Sequence, residues 1–489
     1  MMHDGFLPFL PDLALLGLAI AVLAADFGDD DGRKSFPLAC AGLAALAVLI
    51  AFMPASAREG SFGGYRTSSG TLLWKLLFTL AALGTTLLSR PYFQAGGNAR
   101  GILGKPGAFF GLLVLCTQGM FALVSARDLL TFYLGLELAT LPLYALAAFQ
   151  PEDPDSVEAG SKYVLMGGFS SALTLFGISL LYGTAGGLGF DALASAAQAD
   201  PSQPLLWGGT VFLLGGLGFK LAMAPLHMWA PDVYEGAPTP VMSFLSVGSK
   251  AAAVAATVVI FLGPLDILRP GLAGFFSAAA VLSMVVGNLG AMRQTNLRRF
   301  VAYSSIAQVG YMLVALLGDG EAARAALQYN LLAYGVTSFG LYFIMSVVGK
   351  DGPETLSSLR GLSRRHPGLA ALLVLCMFSL AGIPPLAGFL GKFMLFSAAA
   401  AQGHYVLIGI AVANAVVSFY YYMLVVKEAY ISEPVAIAGL GGTGGEDAQV
   451  MAIRLSWARK LALGVLSVLL LALGLWPAMG GWLAARGGP

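Results

Sequence analysis

Four ionisable residues stand in stretches of sequence where a charge is costly. Glu137 lies within the apolar run Leu130–Leu141, and Lys220, Lys250 and Lys392 lie within three others. A charge near the centre of a bilayer costs about 2.5–3.5 kcal/mol on insertion scales, so such a residue normally faces a protein interior and has a task there. The chemistry this set could perform is proton relay. Poorly hydrated surroundings disfavour an ammonium, and a neighbouring carboxylate favours it again. At about 6 Å and an effective dielectric near 20, one such pair is worth roughly 3 kcal/mol. Moving Glu137 toward or away from Lys220 would therefore switch the lysine between accepting and releasing a proton. The plainer readings are a structural Glu137–Lys220 ion pair and, for Lys392 near a span end, snorkelling to the interface.

Two proline-interrupted segments supply the second ingredient. Pro225 follows Lys220 in Phe219-Lys220-Leu221-Ala222-Met223-Ala224-Pro225, and Pro384 and Pro385 precede Lys392. Proline has no N–H, so Pro225 leaves the carbonyl of Leu221 free, and Pro384 and Pro385 free those of Leu380 and Ala381. Such carbonyls bind water or ions and give the helix a hinge. A hydrated path through the middle of the membrane is the expected result. His227, just past the first break, reads either as a further relay member or as a satisfied interfacial histidine. Lys162, beside Glu152 and Glu158, reads either as the mouth of the relay or as a snorkelling end residue.

These residues need long apolar helices to hold them, and the chain consists of little else. Of its 489 residues 57% are hydrophobic and 11% charged, with a mean hydropathy of +0.79, too few charges for a soluble surface. Stretches long enough to cross a bilayer, about 20 residues each, are expected at 7–25, 37–54, 72–89, 107–125, 129–149, 161–183, 206–229, 241–262, 271–291, 299–318, 325–348, 369–396, 404–427 and 461–483. The expected fold is an all-α integral membrane protein of about 14 transmembrane helices. Continuous apolar runs exclude the alternation of a barrel. The first run has no Lys or Arg before Arg33, so it reads as a retained span rather than a secretory signal.

Other chemistries find little support. Net charge is +1, which suggests neither a nucleic-acid partner nor an acidic substrate. Cys40, Cys116 and Cys376 are isolated, so zinc, iron–sulfur and disulfide frameworks are not expected. Two of the four histidines, His3 and His366, fall in expected loops. Gly439-Leu440-Gly441-Gly442-Thr443-Gly444 matches GxGxxG but lacks the strand–helix setting that binds pyrophosphate, and reads as a loop.

Lysine and arginine in the loops orient the chain. Loops after odd-numbered spans hold 17 of them, including Arg100, Lys105, Lys350 and Arg454, against 7 on the opposite face: Arg58, Arg66, Lys75, Arg127, Arg269, Arg324 and Arg486. Both termini are therefore expected outside. The chain has 27 Lys and Arg residues, and the three left over are Lys220, Lys250 and Lys392.

The two broken spans also suggest duplication. Each is followed by one further span, giving five helices over 107–263 and five over 264–430, preceded by three helices in 1–106 and followed by a Gly-rich loop and a last span in 431–489. An odd number of helices per repeat inverts the second relative to the first, a recurring transporter design.

Several long motifs resemble the antiporter-like subunits of respiratory complex I. Leu134-Gly135-Leu136-Glu137-Leu138-Ala139-Thr140-Leu141-Pro142 is similar to their glutamate helix. Lys220 through Asp232, continuing to Val241, is similar to their broken lysine helix. Asn296-Leu297-Arg298-Arg299-Phe300-Val301-Ala302-Tyr303-Ser304-Ser305 and Leu380-Ala381-Gly382-Ile383-Pro384-Pro385 through Lys392 extend the match over about 105–430. Lys250, where larger relatives tend to carry histidine, Lys392, and the single span after the second repeat separate the chain from those relatives. The resemblance implies a proton channel carried by Glu137, Lys220, Lys250 and Lys392, with Lys162 and His227 as helpers. It implies no cofactor or metal in this chain, with flavin mononucleotide, iron–sulfur clusters and quinone held by partner subunits that oxidise NADH. It also implies a bacterial inner-membrane location, with both termini on the periplasmic side. The alternatives are a subunit of a cation/proton antiporter or of a membrane-bound hydrogenase-type complex, or, outside transport, a structural scaffold. The scaffold reading leaves the lysine-and-proline pattern unexplained.

Overall fold

The computed structural model describes residues 6–27, 33–94, 106–349, 354–433 and 455–476. The Gly439–Gly444 stretch, His3, Arg100, Lys105, Lys350, Arg454, Arg486 and the end of the last expected span lie outside these residues. Each expected apolar stretch coincides with helix among those described. Eleven helices there are long and apolar enough to cross a membrane, and Ser35–Ala51, Pro367–Ala381 and Ala387–Ala400 are apolar but shorter. A small hairpin, Gly60–Phe62 paired antiparallel with Tyr65–Thr67, interrupts the otherwise helical order.

Three expected spans take a different form. The one expected at 369–396 is two half-helices, because Gly382 turns the chain with φ 88° after Ala381 and helix resumes only at Ala387. The one expected at 206–229 ends at Leu221, where Ala222 takes φ 56°, and a short helix Trp229–Gly236 follows. In both, proline beyond the turn cannot rejoin the hydrogen-bond ladder. The third, Leu297–Ala315, has the length of a span but carries Arg298, Arg299, Ser304, Ser305 and Gln308, which make it more polar than its neighbours.

Close helix contacts set the glutamate in place. The Glu137 helix, Leu129–Ala147, starts at an Asp128 cap whose side chain accepts from Thr131 N. It packs on Pro106–Ser125 through two glycines. A Cβ on Gly119 would meet Ala139 N at 2.2 Å, and one on Gly135 would meet Leu123 N at 2.5 Å. With nothing larger than hydrogen at these crossings the backbones approach closely, as small residues permit within membranes.

The turn after the first break is pinned by charge. Arg298 reaches Glu354 at 2.7 Å and donates to the carbonyls of Glu235 and Ala237. Arg299 reaches Asp232 at 2.8 Å and Glu235 at 2.6 Å. Asp232 also receives Lys162 at 2.7 Å. Burial by itself would raise the Asp232 carboxyl, but hydrogen bonds from Lys162 and Arg299 hold it below its ordinary value.

One lysine counted among loop cations belongs elsewhere. Lys75 is 0% exposed and lies 2.8 Å from Asp12. Its ammonium also faces the rings of Tyr65 and Phe121, at 5.2 and 5.5 Å from their centroids. Among the described residues the buried lysines are therefore four, not three. Helix Ser69–Gln94 begins two turns before Lys75, so the residue lies inside the bundle where hydropathy placed it at a helix end. Moving it leaves the excess of cations on the other face intact.

Candidate proton-relay site

Lys220 is the second-last residue of the half-helix Pro204–Leu221, so the break holds it in the bundle interior. Its Nζ lies 3.7 Å from Glu137 Oε1 and donates to Thr140 Oγ1 at 3.1 Å. Glu137 and Thr140 are three residues apart and so share a helix face. Ser171 Oγ, on the neighbouring helix Pro154–Ala185, donates to the same Glu137 oxygen at 2.6 Å. At such a separation an ion pair is worth about 4 kcal/mol at an effective dielectric of 20, and the serine adds a charge-assisted hydrogen bond. Three helices thus meet at one carboxylate. Polar groups of the break find partners as well: Trp229 Nε1 donates to Phe219 O at 2.9 Å, and Ala224 N donates to Ser283 Oγ at 3.0 Å.

Lys250 opens the helix Lys250–Phe261, directly after a π-helical turn, Leu245–Ser249. Such turns recur at functional sites because they shift the register of the side chains that follow. Its Nζ donates to Ser305 O at 3.4 Å. No carboxylate pairs with it among the described residues.

Lys392 is 5% exposed and does not snorkel. Its Nζ donates to Leu380 O at 2.8 Å and Ala381 O at 3.1 Å. These are the two carbonyls that the missing N–H groups of Pro384 and Pro385 set free, so the break itself solvates the ammonium. The Tyr311 ring also meets the ammonium, its centroid 4.4 Å away. Beside Lys392 is a cavity of about 10 Å³ lined in part by Gln308, Asn330, Thr337 and Ser379, close to the space one water molecule needs. Asn330 Nδ2 is buried there without a protein partner among the described residues.

The lysine-and-proline unit does not repeat as one piece. Superposing the left-handed residues, Ala222 on Gly382, places Pro225 on Pro385 and Lys220 on Leu380. Lys220 therefore precedes its break, whereas Lys392 follows its own. The second break offers a backbone carbonyl where the first offers an ammonium.

Lys220, Lys250 and Lys392 share no direct hydrogen bond. The helix Leu297–Ala315 supplies polar groups between the last two. It presents Ser305 O to Lys250 and the Tyr311 ring to Lys392. Gln308 Nε2 donates to Leu380 O at 3.1 Å and lies 3.4 Å from Tyr422 Oη, which is 2.6 Å from Ser304 Oγ. Neither this polar face nor Ser171 was singled out from sequence. The available signal was the low hydropathy of residues 297–315 within an apolar chain.

The two expected helpers are placed apart from the pair. Lys162 lies in the third turn of a helix that starts at Pro154, earlier than the span expected at 161. Its Nζ is 2.7 Å from both Glu158 Oε1 and Asp232 Oδ2. His227 is buried in the turn between Leu221 and Trp229, and its Nδ1 has no hydrogen-bond partner among the described residues.

Residues 126–418 match the family model described as NADH:quinone oxidoreductase/Mrp antiporter, TM. The chain belongs to this antiporter-like membrane family. The matched segment contains Glu137 and all three lysines of the site. A relative from Moorella thermoacetica named NADH-quinone oxidoreductase subunit N is 41% identical over 422 residues, covering 86% of this chain and 87% of that protein. A chain of respiratory complex I from Thermus thermophilus, solved with bound aureothin, has a TM-score of 0.81 and 32% identity, with 98% of this chain and 100% of that one covered. The Mrp complex from Dietzia sp. includes a chain with a TM-score of 0.82 at 21% identity, covering 100% of this chain and 97% of that one, a likeness of fold alone. The antiporter-like fold is thus an established helical membrane architecture.

Proposed function

We propose that the chain is the proton-translocating membrane subunit of an NADH:quinone oxidoreductase. It couples electron transfer in partner subunits to proton movement through Glu137, Lys220, Lys250 and Lys392. The observation that carries this reading is the buried Glu137–Lys220 contact at 3.7 Å, an ion pair whose separation can control where a proton resides. The name of the 41% identical relative supports the choice of reaction. Flavin mononucleotide, iron–sulfur clusters and quinone belong to partner subunits in this reading.

Two five-helix repeats of opposite orientation, 107–263 and 264–430, organise the channel. The paired breaks with left-handed closing residues support that layout. In the inner membrane of a bacterium, with both termini periplasmic, the ionic cluster around Asp232 faces the cytoplasm. Lys162 then sits near the mouth of the path, and His227 lies beside the first break as a further proton holder.

The test is proton pumping and NADH:quinone turnover of the assembled complex carrying Glu137→Gln or Lys220→Ala. Both activities are expected to fall at least about tenfold, the effect of about 1.4 kcal/mol on a rate-limiting step. A double variant, Glu137→Gln with Lys220→Met, removes both charges and separates loss of relay from the cost of one unpaired buried charge. Normal pumping by assembled variants would make the pair structural only. Pumping that requires sodium would instead favour the cation-antiporter alternative.

A further inference from the structure

Three of the arginines on the sparsely charged face converge on one cavity. Its volume is about 300 Å³, and Arg66, Arg127 and Arg324 line it. They come from the hairpin, from the link between helices Pro106–Ser125 and Leu129–Ala147, and from the first turns of helix Gly320–Val348. Nothing in the sequence brings them together; the fold does.

The lining itself carries little negative charge against them. Asp191 is the only carboxylate on the lining, and it meets Arg127 at 3.6 Å with its own side chain 97% exposed. Such an exposed pair contributes little. Arg324 donates to the carbonyl of Leu262; Asp266, Glu321 and Asp319 act on its charge from beyond ion-pair distance, with Arg269 opposing them. The Arg66 side chain has neither hydrogen bond nor ion pair among the described residues, its backbone lying in the hairpin opposite Ser61. Gln328, 2% exposed and also on the lining, has an Oε1 without a partner among the described residues, an acceptor open to a ligand hydroxyl such as that of a headgroup glycerol. Its amide offers both a donor and an acceptor.

We propose that this cavity binds a phosphate group, carried by an anionic lipid or free in solution. Guanidinium groups present planar pairs of donors that match phosphate oxygens, and three of them can share a single group. The walls also include Trp74 and Phe190, which suit the glycerol and first methylenes of a lipid better than a hydrated ion. The same charge makes the cavity an unfavourable outlet for protons, so it stands apart from the relay.

The test compares the assembled complex with its Arg66→Gln/Arg127→Gln variant in nanodiscs containing phosphatidylglycerol or phosphatidylethanolamine. Native mass spectrometry counts retained lipid, and calorimetry follows inorganic phosphate added to the lipid-stripped complex. Wild type is expected to hold phosphatidylglycerol at least about tenfold more tightly than the variant, with no such difference for phosphatidylethanolamine. Inorganic phosphate that binds wild type and not the variant would identify the free ion as the source. Phosphatidylglycerol lost in the variant, with phosphate inert toward both, would identify the lipid. Equal retention of phosphatidylglycerol together with equal response to phosphate overturns the proposal. Arg66→Gln alone, whose side chain holds no other group, keeps the comparison decisive if the double variant does not assemble. Because pumping is not the readout, failure here leaves the assigned function untouched.

Discussion

The Lys392 ammonium lies 4.4 Å from the centroid of the Tyr311 ring while it donates to the carbonyls of Leu380 and Ala381. A lysine without a carboxylate is thus held by a carbonyl pair and a π face. Glu137 does the corresponding task for Lys220 with a full charge. Carbonyls and rings attract an ammonium more weakly than a carboxylate does, so the two lysines answer differently to any change of nearby charge.

Tyr311→Phe keeps the ring and removes a hydroxyl that has no hydrogen-bond partner among the described residues. Coupled NADH:quinone turnover is expected to stay near wild type. Tyr311→Leu removes the π face, worth about 0.5–2 kcal/mol to a desolvated ammonium, and turnover is expected to drop several-fold. Equal rates for the two variants in assembled complexes would remove the ring from the account of Lys392.

The Asp12–Lys75 pair predicts a stability effect outside the relay. Lys75→Met leaves Asp12 buried beside Tyr65 with its counter-charge gone. Breaking a buried pair from one side costs about 3–5 kcal/mol. Asp12→Leu combined with Lys75→Met removes both charges and is expected to recover most of that loss. Thermal denaturation of the purified complexes, with proton pumping as a control, checks both. A double variant as unstable as the single one would mean that shape, not charge, holds this corner together.

Asp232 predicts a pH window. Its carboxyl is held below its ordinary value of 3.8 by Lys162 and Arg299, against the opposing effect of burial. A carboxylate whose folded value is depressed contributes stability above the unfolded value, and that contribution disappears as pH falls through the lowered one. The melting-temperature gap between wild type and Asp232→Asn should therefore be constant from pH 5 to pH 8, as about one unit above 3.8 suffices for full ionisation. It should close only at more acid pH. A gap that closes near neutrality would assign the effect to another group.

What sequence alone determined was the helical membrane fold, the approximate position of the long apolar helices and the candidate residues for a relay. Those properties are one-dimensional. A run of apolar residues must be helical in lipid, and an ion inside such a run is visible because its cost is local. Glu137, Lys220, Lys250 and Lys392 were legible for that reason, and so were the two breaks, since proline lacks its N–H wherever the chain goes. The motifs of the antiporter-like family were read the same way, as contiguous strings.

Tertiary structure decided everything that depends on which helices touch. Only packing sets Glu137 3.7 Å from Lys220, 83 positions away in the chain, and adds Ser171 from a third helix. Only packing shows that Lys392 returns to the carbonyls of its own break, whereas Lys220 leans on another helix. Lys75 looked like a loop cation because hydropathy averages over a window and cannot see Asp12 waiting across the bundle. The three arginines of the cation-poor face look unrelated until the fold gathers them round one cavity. Side-chain charge is written residue by residue, but its compensation is a matter of distance in space, and distance is what folding supplies.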